Sequence, residues 1–261
     1  MYEPEYPPAS PAPGHEPLGS ELRVELLGPN GAALDNGQDG QETMKRLVIT
    51  IDGPAGAGKS TVSRALADRL GYTYIDTGAL YRGVAYETRS RGIAHDDDKG
   101  LEKLCGGLDL KFVRQTNGLH LFSRDADITE LIRTSDITML ASAVSARPVV
   151  RKYLFSLQRE LGQKKGVIFE GRDMGTVVFP DADIKFFLVA SRKVRANRRY
   201  QELKSANSQT LQEVENEMAR RDKNDSSRKL APLKPASDAI HIDSSELSIP
   251  EVVELMLSYI K

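Results

Sequence analysis

The sequence predicts an α/β fold in which a parallel sheet is flanked by helices on both faces. Three observations carry that prediction. Short β-branched and apolar runs recur along residues 44–261, amphipathic segments separate most of them, and a glycine-rich turn joins the first run to the first helix.

Leu47-Val48-Ile49-Thr50-Ile51 is the kind of run that suits a strand buried on both faces. Val62, Ala65, Leu66 and Leu70 then recur at helical spacing, and Gly71 stands where a helix C-terminus favours a residue tolerant of positive φ. Tyr72 to Ile75, Gly166 to Phe169, Asp183 to Val189 and Ala239 to Ile242 read as the further strands. Thr210 with Glu213 makes a capping box for a helix running to Arg220. Ser248 with Glu251 makes another for a C-terminal helix bearing Val252, Val253, Leu255 and Ile260. Between the second and third strands the grammar changes. Leu110 and Phe112 alternate with polar residues, Asn117-Gly118 follows, and Leu119 and Leu121 alternate again, which predicts a hairpin and hence a small antiparallel insertion. No internal repeat is apparent.

The segment from Met1 to about Thr43 is rich in proline, glycine and acidic residues with poor apolar periodicity, so residues 1–43 are expected to be a mostly disordered extension. Leu22 to Leu27 alternates well enough for one short strand within it. The N-terminus lacks a basic region followed by an apolar one, and no apolar run is long enough to span a bilayer; the expectation is a soluble, cytoplasmic protein.

A formal net charge of −1 over 261 residues gives no global basic field to draw the chain onto nucleic acid or an anionic membrane. Cys105 is the single cysteine, which excludes an internal disulfide and leaves it a packing role. His15, His95, His120 and His241 show no metal-ligand spacing to one another or to Cys105.

Gly53-Pro54-Ala55-Gly56-Ala57-Gly58-Lys59-Ser60, followed by Thr61, satisfies G-x-x-x-x-G-K-[ST] between a buried strand and an amphipathic helix. This spacing predicts the P-loop NTPase fold. Glycines let the backbone curl with its amides inward, so a polyphosphate meets N–H donors and the positive end of a helix dipole. Lys59 is expected to reach the β and γ phosphates of ATP, and Ser60 to offer its hydroxyl to Mg2+.

Three further clusters sit at strand ends. Asp76-Thr77-Gly78-Ala79-Leu80-Tyr81-Arg82 follows the second strand, and Glu170-Gly171-Arg172-Asp173-Met174-Gly175-Thr176-Val177-Val178-Phe179-Pro180 follows the next. Arg192, Arg195, Arg198 and Arg199 lie near one helical face, and Arg220, Arg221 and Arg228 flank the end of another helix. Guanidinium forks at the carboxyl edge of a parallel sheet suit an acceptor phosphate. The residues alone leave open UMP, AMP or shikimate as acceptor, and a non-catalytic nucleotide-binding switch.

Over nearly all of residues 44–261 the sequence resembles the bacterial-type cytidylate kinases. The resemblance rests on IDGPAGAGKST, DTGALYR, EGRDMGTVVFPDADIKFFLVAS and RRDKNDSSRKLAPL, in that family's order and at about its spacings. It implies a nucleoside monophosphate kinase fold, with the antiparallel insertion at about 78–145 binding nucleotide and an arginine-rich lid at about 192–229. It further implies transfer of the γ-phosphate of ATP to CMP or dCMP. Residues matching Thr77, Arg82, Arg172, Arg221 and Arg228 surround the acceptor phosphate and sugar in that family. Those matching Ser142, Arg151 and Asp173 read the cytosine, and the position of Asp225 is associated with the sugar hydroxyl. Thr77 stands where serine is common and Glu170 where aspartate is common, so hydroxyl and carboxylate are both kept. Tyr81 and Glu170 complete the expected substrate-binding set.

Phosphoryl transfer leaves little covalent work for a protein, so rate is expected from alignment and positive charge, with no general base required. The expected catalytic set is Lys59, Arg172, Arg195 and Arg198, the last two closing from the lid. The expected partners are ATP, CMP or dCMP and Mg2+, with no nucleic acid or membrane and with the chain a monomer.

Overall fold

A computed structural model describes residues 46–115, 118–203 and 209–260. Among them Arg82–Leu157 forms one compact unit, and the residues before and after it form a second.

The second unit is built on five parallel strands, β1 (Val48–Asp52), β2 (Thr73–Asp76), β6 (Val167–Gly171), β7 (Ile184–Val189) and β8 (Ile240–Asp243), in the order β2-β6-β1-β7-β8. Every residue of β1 is buried, as its unbroken apolar run requires of the middle strand. Chain order reverses direction across the sheet at β1, so the crevice beyond its carboxyl end is the place where open α/β sheets receive ligands. The core packs Ile49, Ile51, Ile168, Phe186, Leu188 and Ile242 of the sheet with Leu66 of helix α1 (Lys59–Leu70) and Val253 and Met256 of helix α8 (Ile249–Ser258).

Local signals explain several element ends. Gly71 ends α1 at φ 65°, and both capping boxes form: Thr210 with Glu213 opens helix α7 (Leu211–Ser227), Ser248 with Glu251 opens α8. Two expectations need correction. The helix expected to stop at Arg220 continues to Ser227. The polar run 221–227 is a poor helix former, but Asp225 is buried against arginine, its carbonyl accepts from Leu233 N, and Ser226 Oγ donates back to Asp222 O. In α8, Leu255 is exposed and Ile260 lies beyond the helix end, while Met256 takes the inward position.

The unit Arg82–Leu157 carries the antiparallel sheet β3 (Leu110–Gln115), β4 (Gly118–Ser123) and β5 (Ala126–Asp127). The hairpin pairs Phe112 with Leu121 in register, and both side chains are buried. Of the predicted Asn117-Gly118 turn, Asn117 lies outside the described residues, as does the Leu22 to Leu27 strand. Helices α3 (Asp98–Gly106) and α4 (Ser135–Val144) belong here; α2 (Thr77–Ser90) and α5 (Pro148–Gln163) run across the boundary between the units. Cys105 is buried in α3 and burial pushes its thiol up to about 11, which suits packing rather than reactivity.

Candidate active site

Because the five strands are parallel, their carboxyl ends share one edge, and the chain leaves that edge through the phosphate loop and through the clusters that follow β2, β6 and β7. β1 runs into the phosphate loop. Gly53 has φ 149°, and a Cβ there would stand 2.0 Å from the carbonyl oxygen of Leu188 in β7, so only glycine lets the loop turn this close to the sheet. Gly58, at φ 88°, hands the chain to α1.

Lys59 is buried, and its Nζ donates to Pro54 O at 2.7 Å across the loop. Burial pushes its ammonium down to about 7, and the nearby Arg172 pushes the same way. Glu170, at the end of β6, opposes that push. Its carboxylate is buried and accepts from Ser60 Oγ at 3.0 Å and from the Tyr74 hydroxyl at 2.5 Å. Burial and the Glu170 charge hold the Tyr74 phenol well above its ordinary range, so it stays a donor.

The loop is also tied from outside. Arg195, in helix α6 (Arg192–Leu203), is buried; it donates to Ala190 O and Ala55 O at 2.9 Å each and to Asp222 Oδ2 at 2.6 Å. Asp222 Oδ1 accepts from Ala55 N at 3.3 Å. Arg198 donates to Ser244 O and Oγ, and Ser244 Oγ lies 3.1 Å from Ala57 O. The four arginines read as one helical face have different fates: Arg192 is exposed and Arg199 pairs with Glu202.

Beyond β6, Arg172 Nε donates to Asp225 Oδ2 at 3.1 Å, and Arg228 lies 3.9 Å from the other Asp225 oxygen. Burial pushes the Asp225 carboxyl up, but Arg172, Arg228 and Arg221 together outweigh it and hold the group below the usual carboxylate range. Thr77 Oγ1 donates to Glu170 O at 2.7 Å, which pins the start of α2 to the end of β6. Asp173 and Tyr81 are buried, and Thr61 is exposed at the start of α1.

Arg82, Ser142 and Arg151 belong to the other unit. There Ser145 joins two of them: its Oγ donates to Ser142 O at 2.9 Å, and its carbonyl accepts from the buried Arg151 at 3.3 Å.

The cytidylate kinase family model matches residues 49–261, which takes in the phosphate loop and all of the predicted side chains just described. The chain belongs to the cytidylate kinase family. The cytidylate kinase of Geobacter sp. strain M21 is 50% identical over 216 residues, 82% of this chain and 93% of that one. That of Geobacter sulfurreducens is 51% identical with the same coverage, and that of Syntrophotalea carbinolica is 47% identical over 221 residues, 83% and 92% of the two chains.

Four residues around this sheet edge were not singled out from sequence. Tyr74 and Ser244 read as strand and loop residues, and Asp222 is one charge among many in RRDKND. Asp52, in IDGPAGAGKST, offered the clearest signal: an acid ending an apolar strand immediately before a phosphate loop has to be satisfied by something. No helix among the described residues is long and apolar enough to cross a membrane.

Proposed function

We infer that the chain transfers the γ-phosphoryl group of ATP to CMP or dCMP, giving ADP and CDP or dCDP. The carrying observation is that a phosphate loop and a second, separate group of half-buried guanidiniums, organised by the buried Asp225, stand at the same sheet edge. One phosphate cradle serves a donor; the second needs an acceptor that also carries phosphate. Family membership, through relatives named cytidylate kinase, supports CMP as that acceptor.

In this reading the amides of 53–60 and Lys59 hold the β and γ phosphates. An anionic phosphate reverses the push on Lys59 and restores its full charge. Arg172, Arg221 and Arg228, with Thr77 and Arg82, hold the acceptor phosphate and sugar, and Asp225 meets the sugar hydroxyl. Ser142, Arg151 and Asp173 read the cytosine. Arg195 and Arg198 brace the phosphate loop and bring positive charge to the transferring group. Alignment and charge, with water excluded, supply the rate.

Mg2+ fits the residues present. Ser60 Oγ and the Glu170 carboxylate are hard oxygen donors 3.0 Å apart beside the loop. Such sparse ligation suits an ion that keeps its waters and leans on substrate phosphates. When bound it neutralises charge developing on the phosphate oxygens. We place the enzyme in the cytoplasm and take it to act as a monomer; a one-chain mass by light scattering checks the second.

The deciding experiment is ADP formation measured with CMP, dCMP, UMP and AMP in turn. Strong stimulation by CMP and dCMP is expected. ADP formation that ignores CMP, or that favours UMP or AMP, would overturn the assignment.

A further inference from the structure

Asp52 takes no part in the chemistry above, yet it is buried at 4% exposure as the last residue of β1, one position before the phosphate loop. Its Oδ1 accepts from Met174 N at 3.0 Å and its Oδ2 from Gly175 N at 2.7 Å. Those two amides open a single turn of π-helix, Met174–Val178, closed by Phe179 N to Met174 O. In the parallel register Asp52 lies opposite Gly171. Only Arg172 and Asp173 therefore separate the strand residue facing Asp52 from the amides it holds.

A carboxylate that accepts from two successive N–H groups fixes the position of the intervening peptide, and through it the direction of the residue just before. An asparagine or serine would satisfy one of the two donors at far lower cost than a buried charge. Asp173, itself a buried acid, adds to that cost by repulsion. Two acids kept together in a dry site imply that each has its own work.

We propose that Asp52 is the positioning residue for acceptor recognition: by clamping the Met174 and Gly175 amides to the end of the phosphate-loop strand, it fixes where Arg172 and Asp173 stand relative to the donor site. The proposal rests on the reading of Asp173 as a base-recognition residue. Donor and acceptor geometry are then set by one side chain, because the strand that delivers the phosphate loop also carries the clamp.

The clamp is sensitive to protonation, since a protonated oxygen faces an N–H without a lone pair so well placed to receive it. Burial pushes Asp52 up to about 7; the two N–H bonds oppose this, and of the charged neighbours Asp173 raises it and Lys59 lowers it. The clamp is accordingly complete above about pH 7 and loosens below.

The test compares Asp52→Asn, Asp173→Ala and the double variant, with CMP and UMP as acceptors, from about pH 6 to about pH 8. Asp52→Asn is expected to leave KM for ATP within about twofold, raise KM for CMP about tenfold, shrink the CMP-over-UMP preference and remove the acid limb of kcat/KM for CMP. The double variant should discriminate no worse than Asp173→Ala alone, because both act on one function. Equal losses for CMP and UMP with the acid limb retained would overturn the clamp. If Asp173→Ala leaves the base preference intact, the base reading of Asp173 fails; the CMP KM and the acid limb of Asp52→Asn still decide the clamp. Should Asp52→Asn not fold, amide exchange in the wild-type protein decides: protection of Met174 and Gly175, corrected for intrinsic rate, falls as pH drops through about 7, and pH-independent protection overturns the proposal.

Discussion

The proposed donor and acceptor sides of this site solve opposite electrostatic problems. On the donor side a lysine is buried, and burial, helped by Arg172 and opposed by Glu170, pushes its ammonium down to about 7. On the acceptor side a carboxylate is buried among three guanidiniums and held below its usual range. The donor side carries a cation that needs its ligand. The acceptor side carries three arginines around one carboxylate, and Asp225 holds Arg172 in a standing ion pair, so an incoming phosphate would meet guanidiniums already in place. The difference teaches how one sheet edge would hold two phosphates: the first by a buried lysine that a phosphate recharges, the second by preorganised geometry.

Breaking the donor half should have the largest effect. Lys59→Ala is expected to lower CMP-dependent transfer by about 10^3-fold or more, as loss of a transition-state charge contact does, with the circular dichroism spectrum unchanged. Retained turnover would remove Lys59 from the chemistry.

Breaking the acceptor half should register in stability as well. Asp225→Asn leaves half-buried guanidiniums without their buried counter-charge and is expected to cost about 3 kcal/mol in urea unfolding. The pH dependence has a definite sign. Because the folded carboxyl lies below the unfolded one, its contribution is fully present above about pH 4 and is lost as pH falls through the lower folded value. The wild-type advantage over Asp225→Asn should therefore be flat from neutrality down to about pH 4 and close below it. An advantage that grows on acidification would contradict the pairing.

The smallest effect sharpens the contrast. With Lys59 lowered in the free protein, binding of ATP should take up a fraction of a proton between about pH 7 and about pH 9, read by calorimetry in buffers of different ionisation heat. Binding of CMP alone should take up less, since the acceptor arginines keep their protons throughout. Equal uptake for both ligands would erase the distinction.

The glycine spacing, the strand runs and the two capping boxes are short-range features, and the structure reproduces them because backbone conformation and capping depend on residues a few positions apart. The length of α7 was not legible. Residues 221–227 look like a loop, and contacts that include burial of Asp225 against Arg172, 53 positions away in sequence, keep them helical. The arginines of α6 were legible as a cluster but not as individuals, since a helical face says nothing about which guanidinium meets Ala55 and Asp222.

By itself the sequence determined a parallel α/β fold, a phosphate loop at Gly53–Ser60 and an antiparallel insertion, because periodicity, glycine placement and turn chemistry act locally. Tertiary structure alone decided the strand order β2-β6-β1-β7-β8, and with it which side chains meet at the edge. Asp52 shows the reason. It precedes the phosphate loop by one residue, but its partners are the amides of Met174 and Gly175, more than 120 residues later, at separations of 122 and 123. Backbone donors have no sequence signature, so a carboxylate that serves them becomes legible only when the strands stand side by side.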